Sequence, residues 1–229
     1  MELNVEIQES SGKKPSLFGI IISPSLQFER LKTSKGLWGV LFLVSIMHGF
    51  VNGLNTYVTQ QSPEFLKLQE NIPVGMQESV SIQMIKAVVQ GSIGAAIGFL
   101  FVTIVYKTFM IFLGNDTSYS KLLTIIIYAD IILLLGVFIN VILALIFNGD
   151  GLVSYISLAP LFESGTTIYG IANMADFFYI WNLFLIWMGL CITASLSKRK
   201  ALIPIIFIFV FKSVFISTMI SFFNQFSSH

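Results

Sequence analysis

Charge is what this chain has least of. Only 11% of its 229 residues are Asp, Glu, Lys or Arg, while 55% are hydrophobic, and the mean hydropathy is +0.83. A water-soluble domain of this length needs a charged surface, so that class is excluded. Cysteine is scarcer still. Cys191 stands alone, which rules out an intramolecular disulfide and any cysteine-based metal site. The two histidines, His48 and His229, cannot build a His-x-x-x-His or His-Glu-x-x-His zinc site. No P-loop, no Gly-x-Ser-x-Gly elbow and no Glu–Glu pair of the kind one class of intramembrane protease uses occurs in the sequence. No catalytic residue, cofactor site or metal site is therefore expected, and the chain reads as a non-enzyme. A net charge of +1 gives no basic excess that would favour nucleic acid. The first 36 residues lack a charged n-region followed by an apolar core and a cleavage site, so the first apolar run is expected to stay as an anchor. There is no Met-Gly start and no C-terminal prenylation box.

What is present is a series of long apolar runs. Spanning a bilayer takes roughly 20 mostly apolar residues at about 1.5 Å rise each. Five segments reach that length: about Leu37 to Val58, Val88 to Leu113, Leu122 to Phe147, Phe177 to Leu196, and Ala201 to Phe223. Lipid cannot satisfy exposed peptide groups, and the runs do not alternate as barrel strands do, so helix is the only reading. The expected fold is an all-α polytopic membrane bundle of five transmembrane helices. Lys and Arg set its orientation. With the N-terminus inside, the inner segments hold Lys13, Lys14, Arg30, Lys32, Lys35, Lys107, Lys121, Lys198, Arg199 and Lys200, and the outer segments hold only Lys67 and Lys86. The positive-inside rule then gives N-in and C-out. A multi-pass protein of a cell membrane is expected.

The segments between the runs carry their own signals. Residues 1–16 read as a flexible cytoplasmic tail. Residues 17–36 begin with an apolar run too short to span, and Ser23-Pro24 then offers a helix start, with serine as cap and proline at the first position. Leu26, Phe28 and Leu31 alternate with Gln27, Glu29, Arg30 and Lys32, the pattern expected of an amphipathic helix lying on the inner leaflet, with an ordinary cytosolic juxtamembrane helix as the alternative. Arg30, Lys32, Lys35, Lys198, Arg199 and Lys200 are the expected headgroup contacts. The stretch from Met76 onward reads as a helical extension of the second span. Leu152 to Phe162 is apolar, short and contains Pro160, which suits a re-entrant or interfacial segment.

Ionisable groups within spans are expensive in hydrocarbon, on the order of 2.5–3.5 kcal/mol on insertion scales, and are candidates for function. His48, Asp130 and Lys212 fall within about 5 Å of one depth, counted along their helices from the inner ends. An Asp130–Lys212 ion pair with His48 or Asn52 beside it is expected, fixing helix register or lining a pathway for protons or solutes. Gly49 and Gly53, and Gly94 and Gly98, are spaced four apart and mark helix-packing faces that serve packing within the chain or a partner subunit, the former being the expectation. Trp38 and Tyr179 suit anchoring at the membrane interfaces.

Three sequence pieces, taken in order along a five-span chain, carry a family resemblance. They are Ser23-Pro24 followed by Phe28-Glu29-Arg30-Leu31, then Asp176-Phe177-Phe178-Tyr179-Ile180-Trp181, then Gly189-Leu190 leading through Ser197 to Lys198-Arg199-Lys200-Ala201. From Leu17 to Phe223 the chain resembles the Yip family of five-span membrane proteins (Ypt-interacting proteins), in its bacterial branch. Eukaryotic members act in vesicle traffic beside small GTPases, an activity that does not carry over to bacteria. Some bacterial members are encoded beside ABC exporters. The resemblance therefore implies a non-enzymatic accessory protein that binds the permease of an ABC-type exporter and assists resistance to a toxic peptide. It brings no catalytic residue. A carrier using the His48, Asp130 and Lys212 layer, and a lipid-binding or membrane-shaping protein using residues 17–36, are the competing readings.

Overall fold

The structure is a computed structural model. It describes residues 14–34, 36–70, 73, 77–149, 151, 153–163 and 165–227, without the side chains of Glu64, Leu68 and 221–227. Most of the expected tail, Lys35, the Met76 start of the extension, Leu152 and His229 lie outside these residues.

The described residues form helices, with no strand among them. Two short helices open the chain: α1 (Gly19–Ile22) and α2 (Pro24–Leu31). Then come α3 (Leu37–Gln61), α4 (Pro63–Glu70), α5 (Val80–Phe112) and α6 (Tyr119–Phe147). A 3-10 turn follows at Ala159–Leu161, and α7 (Thr167–Met174), α8 (Phe177–Ile192) and α9 (Lys198–Ser227) complete the chain. Helices α3, α5, α6 and α9 are each long and apolar enough to cross a membrane. Helix α8 has 16 residues, or about 24 Å, which falls short of a ~30 Å hydrocarbon core. Together with α7 it reaches the necessary length, with a bend of 52° between them. The fold is thus an all-helical membrane protein with four helices long and apolar enough to cross and a bent helix pair that is either a broken fifth span or a re-entrant loop. With 33 residues, α5 is about 50 Å long and overruns the hydrocarbon. It begins at Val80, consistent with a helical extension ahead of the second apolar run.

Local chemistry sets the helix ends. Helix α5 closes in a Schellman turn. Gly114 takes φ of +68°, its amide donates to Ile111 O at 3.0 Å, and the Asn115 amide donates to Met110 O at 2.8 Å. Asn148 plays the same left-handed part after α6, at φ of +52°, and the Gly149 amide donates to Ala144 O at 2.9 Å. Thr166 caps α7 by accepting from the Tyr169 amide at 3.1 Å, and Asp176 caps α8 by accepting from the Tyr179 amide at 2.9 Å. Helix α2 departs from expectation. Pro24 does occupy its first turn, but the Ser23 side chain makes no cap hydrogen bond. Its backbone carbonyl instead accepts from the Gln27 amide at 3.2 Å. The fourth run also ends sooner than hydropathy implies, because Ser195 turns the chain at φ of +55° after Ile192.

The chain divides into two compact units. One comprises Met1–Val44, Ala96–Leu133 and Trp181–Phe207; the other comprises Ser45–Ala95, Leu134–Ile180 and Ile208–His229. In the first unit α6 is central. Leu122, Leu123, Ile125, Ile126, Ile127, Tyr128 and Ala129 are all buried, so the helix is enclosed on every side there. In the second unit Val51 and Val58 of α3 meet Leu134, Val141 and Ala144 of α6, with Met47 and Tyr155 packed against them.

Candidate functional site

The N-terminal arm is built into the first unit. Ile20, Phe28 and Leu31 are buried there. The Thr193 hydroxyl donates to Phe28 O at 2.7 Å, and Gly189 leaves room for the Phe28 ring. The Lys121 ammonium donates to Lys32 O at 2.9 Å, the Tyr128 hydroxyl to Pro15 O at 3.3 Å, and the Ser16 amide to the buried Gln27 side chain at 2.8 Å. The amphipathic pattern therefore turns Phe28 and Leu31 toward protein, while Phe18 and Ile22 of α1 stay exposed. Lys32 is paired with Glu29 at 2.6 Å in an exposed, weak ion pair. Arg30 is half-buried, and its Nε has no hydrogen-bond partner among the described residues.

Lys198, Arg199 and Lys200 form the first turn of α9 and are all exposed. The Lys200 ammonium donates to Leu113 O at 3.3 Å, at the end of α5. In the connection between α5 and α6, Asn115 and Thr117 both donate to Ala194 O, at 3.0 and 3.3 Å. The Lys107 ammonium donates to Thr117 O at 2.9 Å. These clamps were not legible in advance, although an Asn directly after a Gly-terminated apolar run is a recognisable cap signal.

The ionisable residues within spans are divided between the two units. Asp130 lies half-buried on α6 in the first unit. His48, half-buried on α3, and Lys212, exposed on α9, belong to the second unit. His48 and Asp130 are each engaged by a neighbour. The Lys212 ammonium stands 4.4 Å from the centre of the Tyr179 ring, a cation–π contact within the second unit that hydropathy did not foretell.

The two glycine pairs have opposite surroundings. A Cβ at Gly49 would overlap Ser92 Oγ and Val88 O of α5, and one at Gly53 would come within 2.6 Å of Val88 Cγ2. Gly91 faces Asn52 across the same contact, and the Asn52 amide donates to Ala87 O at 2.9 Å. Helices α3 and α5 therefore touch backbone to backbone in the second unit. A Cβ at Gly94 or Gly98 would meet nothing within 4 Å. Among the described residues this second pair lies on an open face of α5 bordered by exposed Ile93, Ile97 and Phe101, with no contact to another helix. Identical four-residue spacing gave both pairs the same expectation, and only the fold distinguishes them.

Comparison with known proteins agrees with this architecture. The Yip1 domain model matches residues 18–219. A protein of Bacillus subtilis (strain 168) described as "Membrane protein YknW" is 33% identical over 221 residues, covering 94% of each chain. No solved structure matches. The chain therefore belongs to the Yip1 domain family and is a multi-pass membrane protein with a bacterial relative.

Proposed function

We propose that this is a non-enzymatic accessory protein of the bacterial cytoplasmic membrane that binds another polytopic protein, the permease of an ABC-type exporter, with its N-terminus cytoplasmic and its C-terminus outside. One observation carries the binding part. Most of helix α5 is exposed, and Gly94 and Gly98 present bare backbone beside the exposed row of Ile93, Ile97 and Phe101, with nothing among the described residues packed on them. Without a hydrophobic drive between helices in lipid, close approach at small residues is what holds transmembrane helices together. The exporter as partner rests on the resemblance to bacterial Yip proteins. The carrier reading draws less support, because Lys212 is held against an aromatic ring in a packing contact. Membrane shaping by α2 draws less still, because Phe28 and Leu31 are buried in protein.

The test is co-purification from native membranes in mild detergent. The wild-type chain is expected to bring down an exporter permease in near-stoichiometric amount. The double substitution Gly94→Leu, Gly98→Leu is expected to accumulate normally and lose the permease at least tenfold. A wild-type chain recovered clean, with no associated membrane protein, would refute the proposal.

A further inference from the structure

Helices α8 and α9 border a shallow groove of about 340 Å³ in the first unit, lined by Leu183, Phe184, Trp187, Leu202 and Ile205. That volume lies at the small end of ligand pockets. Its walls are almost wholly apolar, and it is more open than enclosed. Phe184 and Trp187 pack together on the α8 wall, tilted by 33° with ring centres 5.6 Å apart. The α9 wall descends from the first turn of that helix. Leu202 and Ile205 follow Lys198 by four and seven residues, which places the three on one helical stripe. Lys198 therefore lies on the face that carries Leu202 and Ile205, about 10 Å along the axis from Ile205. The Trp187 indole donates to Lys198 O at 3.1 Å, tying the aromatic wall to the first residue of the basic turn.

Charge at the mouth points to the occupant. The first turn of α9 carries Lys198, Arg199 and Lys200 and no acidic residue. Cations at a helix N-terminus oppose the positive end of the helix dipole, so this arrangement is unfavourable by itself and favourable once an anion joins it. Neither the Lys198 nor the Arg199 side chain is in an ion pair among the described residues. Asp116 follows Leu113, the Lys200 partner, by three residues and is exposed. An anion at the mouth continuous with a hydrocarbon tail in the groove is the chemistry of one molecule.

We propose that α8 and α9 form a binding site for an anionic phospholipid, with the phosphate on Lys198 and Arg199 and one acyl chain along Leu183, Phe184, Trp187, Leu202 and Ile205. The lipid is held as a specific ligand, distinct from the lipids that merely surround the bundle. Nothing in this depends on the identity of a protein partner.

Trp187 supplies the probe. The full chain carrying Trp38→Phe and Trp181→Phe keeps Trp187 as its sole tryptophan. It is reconstituted in phosphatidylcholine nanodiscs with increasing fractions of lipid brominated on the acyl chain. Brominated phosphatidylglycerol is expected to quench Trp187 at a mole fraction at least fivefold lower than brominated phosphatidylcholine, because each basic side chain near anionic lipid contributes about a fivefold preference. Replacing Lys198 and Arg199 with Gln is expected to bring the two curves together. Replacing Lys67 and Lys86 with Gln removes as much charge elsewhere, and is expected to leave them apart. Leu202→Trp in the Trp187→Phe background repeats the readout from the other wall and covers a failure of the first variant to fold. Coincident curves for the two lipids in the Trp187 protein, or a preference that survives loss of Lys198 and Arg199, would overturn the proposal.

Discussion

Gly49→Leu is expected to abolish accumulation of the folded protein, while Gly94→Leu leaves thermal stability in detergent within a few degrees of wild type. The two residues are four-spaced glycines in neighbouring apolar runs, and the substitution is chemically the same. At Gly49 even the first added carbon overlaps Ser92 Oγ and the backbone carbonyl of Val88. Ser92 can rotate away, but its hydroxyl already donates to Val88 O at 2.8 Å, and the carbonyl belongs to a regular helix. Overpacking of this sort typically costs about 1–3 kcal/mol, and more where backbone must move. Separating α3 from α5 also breaks the bond from Asn52 to Ala87 O, leaving polar groups in a region without water. At Gly94 the same side chain extends into open space. Fluorescence-detected size-exclusion chromatography after a heating series would show the difference. Equal behaviour of the two variants would mean that α3 and α5 do not meet as described.

The second large effect concerns the N-terminal arm. Phe28→Ala is expected to destabilise the docked arm by about 3–5 kcal/mol, the usual range for removing a fully buried aromatic ring. The Phe28 ring is wholly buried, fills the space left by Gly189, and its backbone carbonyl accepts the Thr193 hydroxyl. With the ring gone, the arm keeps buried Ile20 and Leu31 and the bonds from Thr193, Lys121 and Tyr128, but loses its largest buried side chain. The expected readout is limited proteolysis. Trypsin should cut at Arg30 or Lys32 at least tenfold faster in Phe28→Ala than in wild type, while the membrane-embedded remainder stays intact. Unchanged cleavage would show that Phe28 does not hold the arm. Thr193→Val removes one hydrogen bond at nearly constant volume, and it should move cleavage in the same direction by less.

These two cases show where sequence reading reaches and where it stops. The class of the protein follows from hydrocarbon chemistry alone. Runs such as Leu122 to Phe147 are stable only as helices in lipid, and the structure has a helix over Tyr119–Phe147. Helix ends were partly readable. Gly114 marks the end of α5, but the stop at Ile192 depends on a left-handed Ser195 that carries no glycine signal. The bend between Met174 and Phe177 was readable only as a gap in apolar character before Asp176, since a break of 52° depends on how α7 and α8 pack. The glycine pairs were found by their spacing, yet spacing does not say whether a neighbour is present. The arm illustrates the same limit. An amphipathic pattern reports that one face avoids water, and protein or lipid satisfies that equally well. The groove between α8 and α9 was invisible because its walls come from Leu183, Phe184 and Trp187 on one helix and Leu202 and Ile205 on the next. Each of these reads individually as an ordinary apolar residue of a span.

Five crossings underlie the account, and an odd number places the two ends of the chain on opposite sides of the membrane. In a Cys191→Ser background, Lys14→Cys and Ser228→Cys are each probed in intact cells with a membrane-impermeant maleimide. The account predicts labelling of the cysteine at residue 228 and none at residue 14 until the membrane is opened. Labelling of both from outside, or of neither, would mean an even number of crossings and would contradict it.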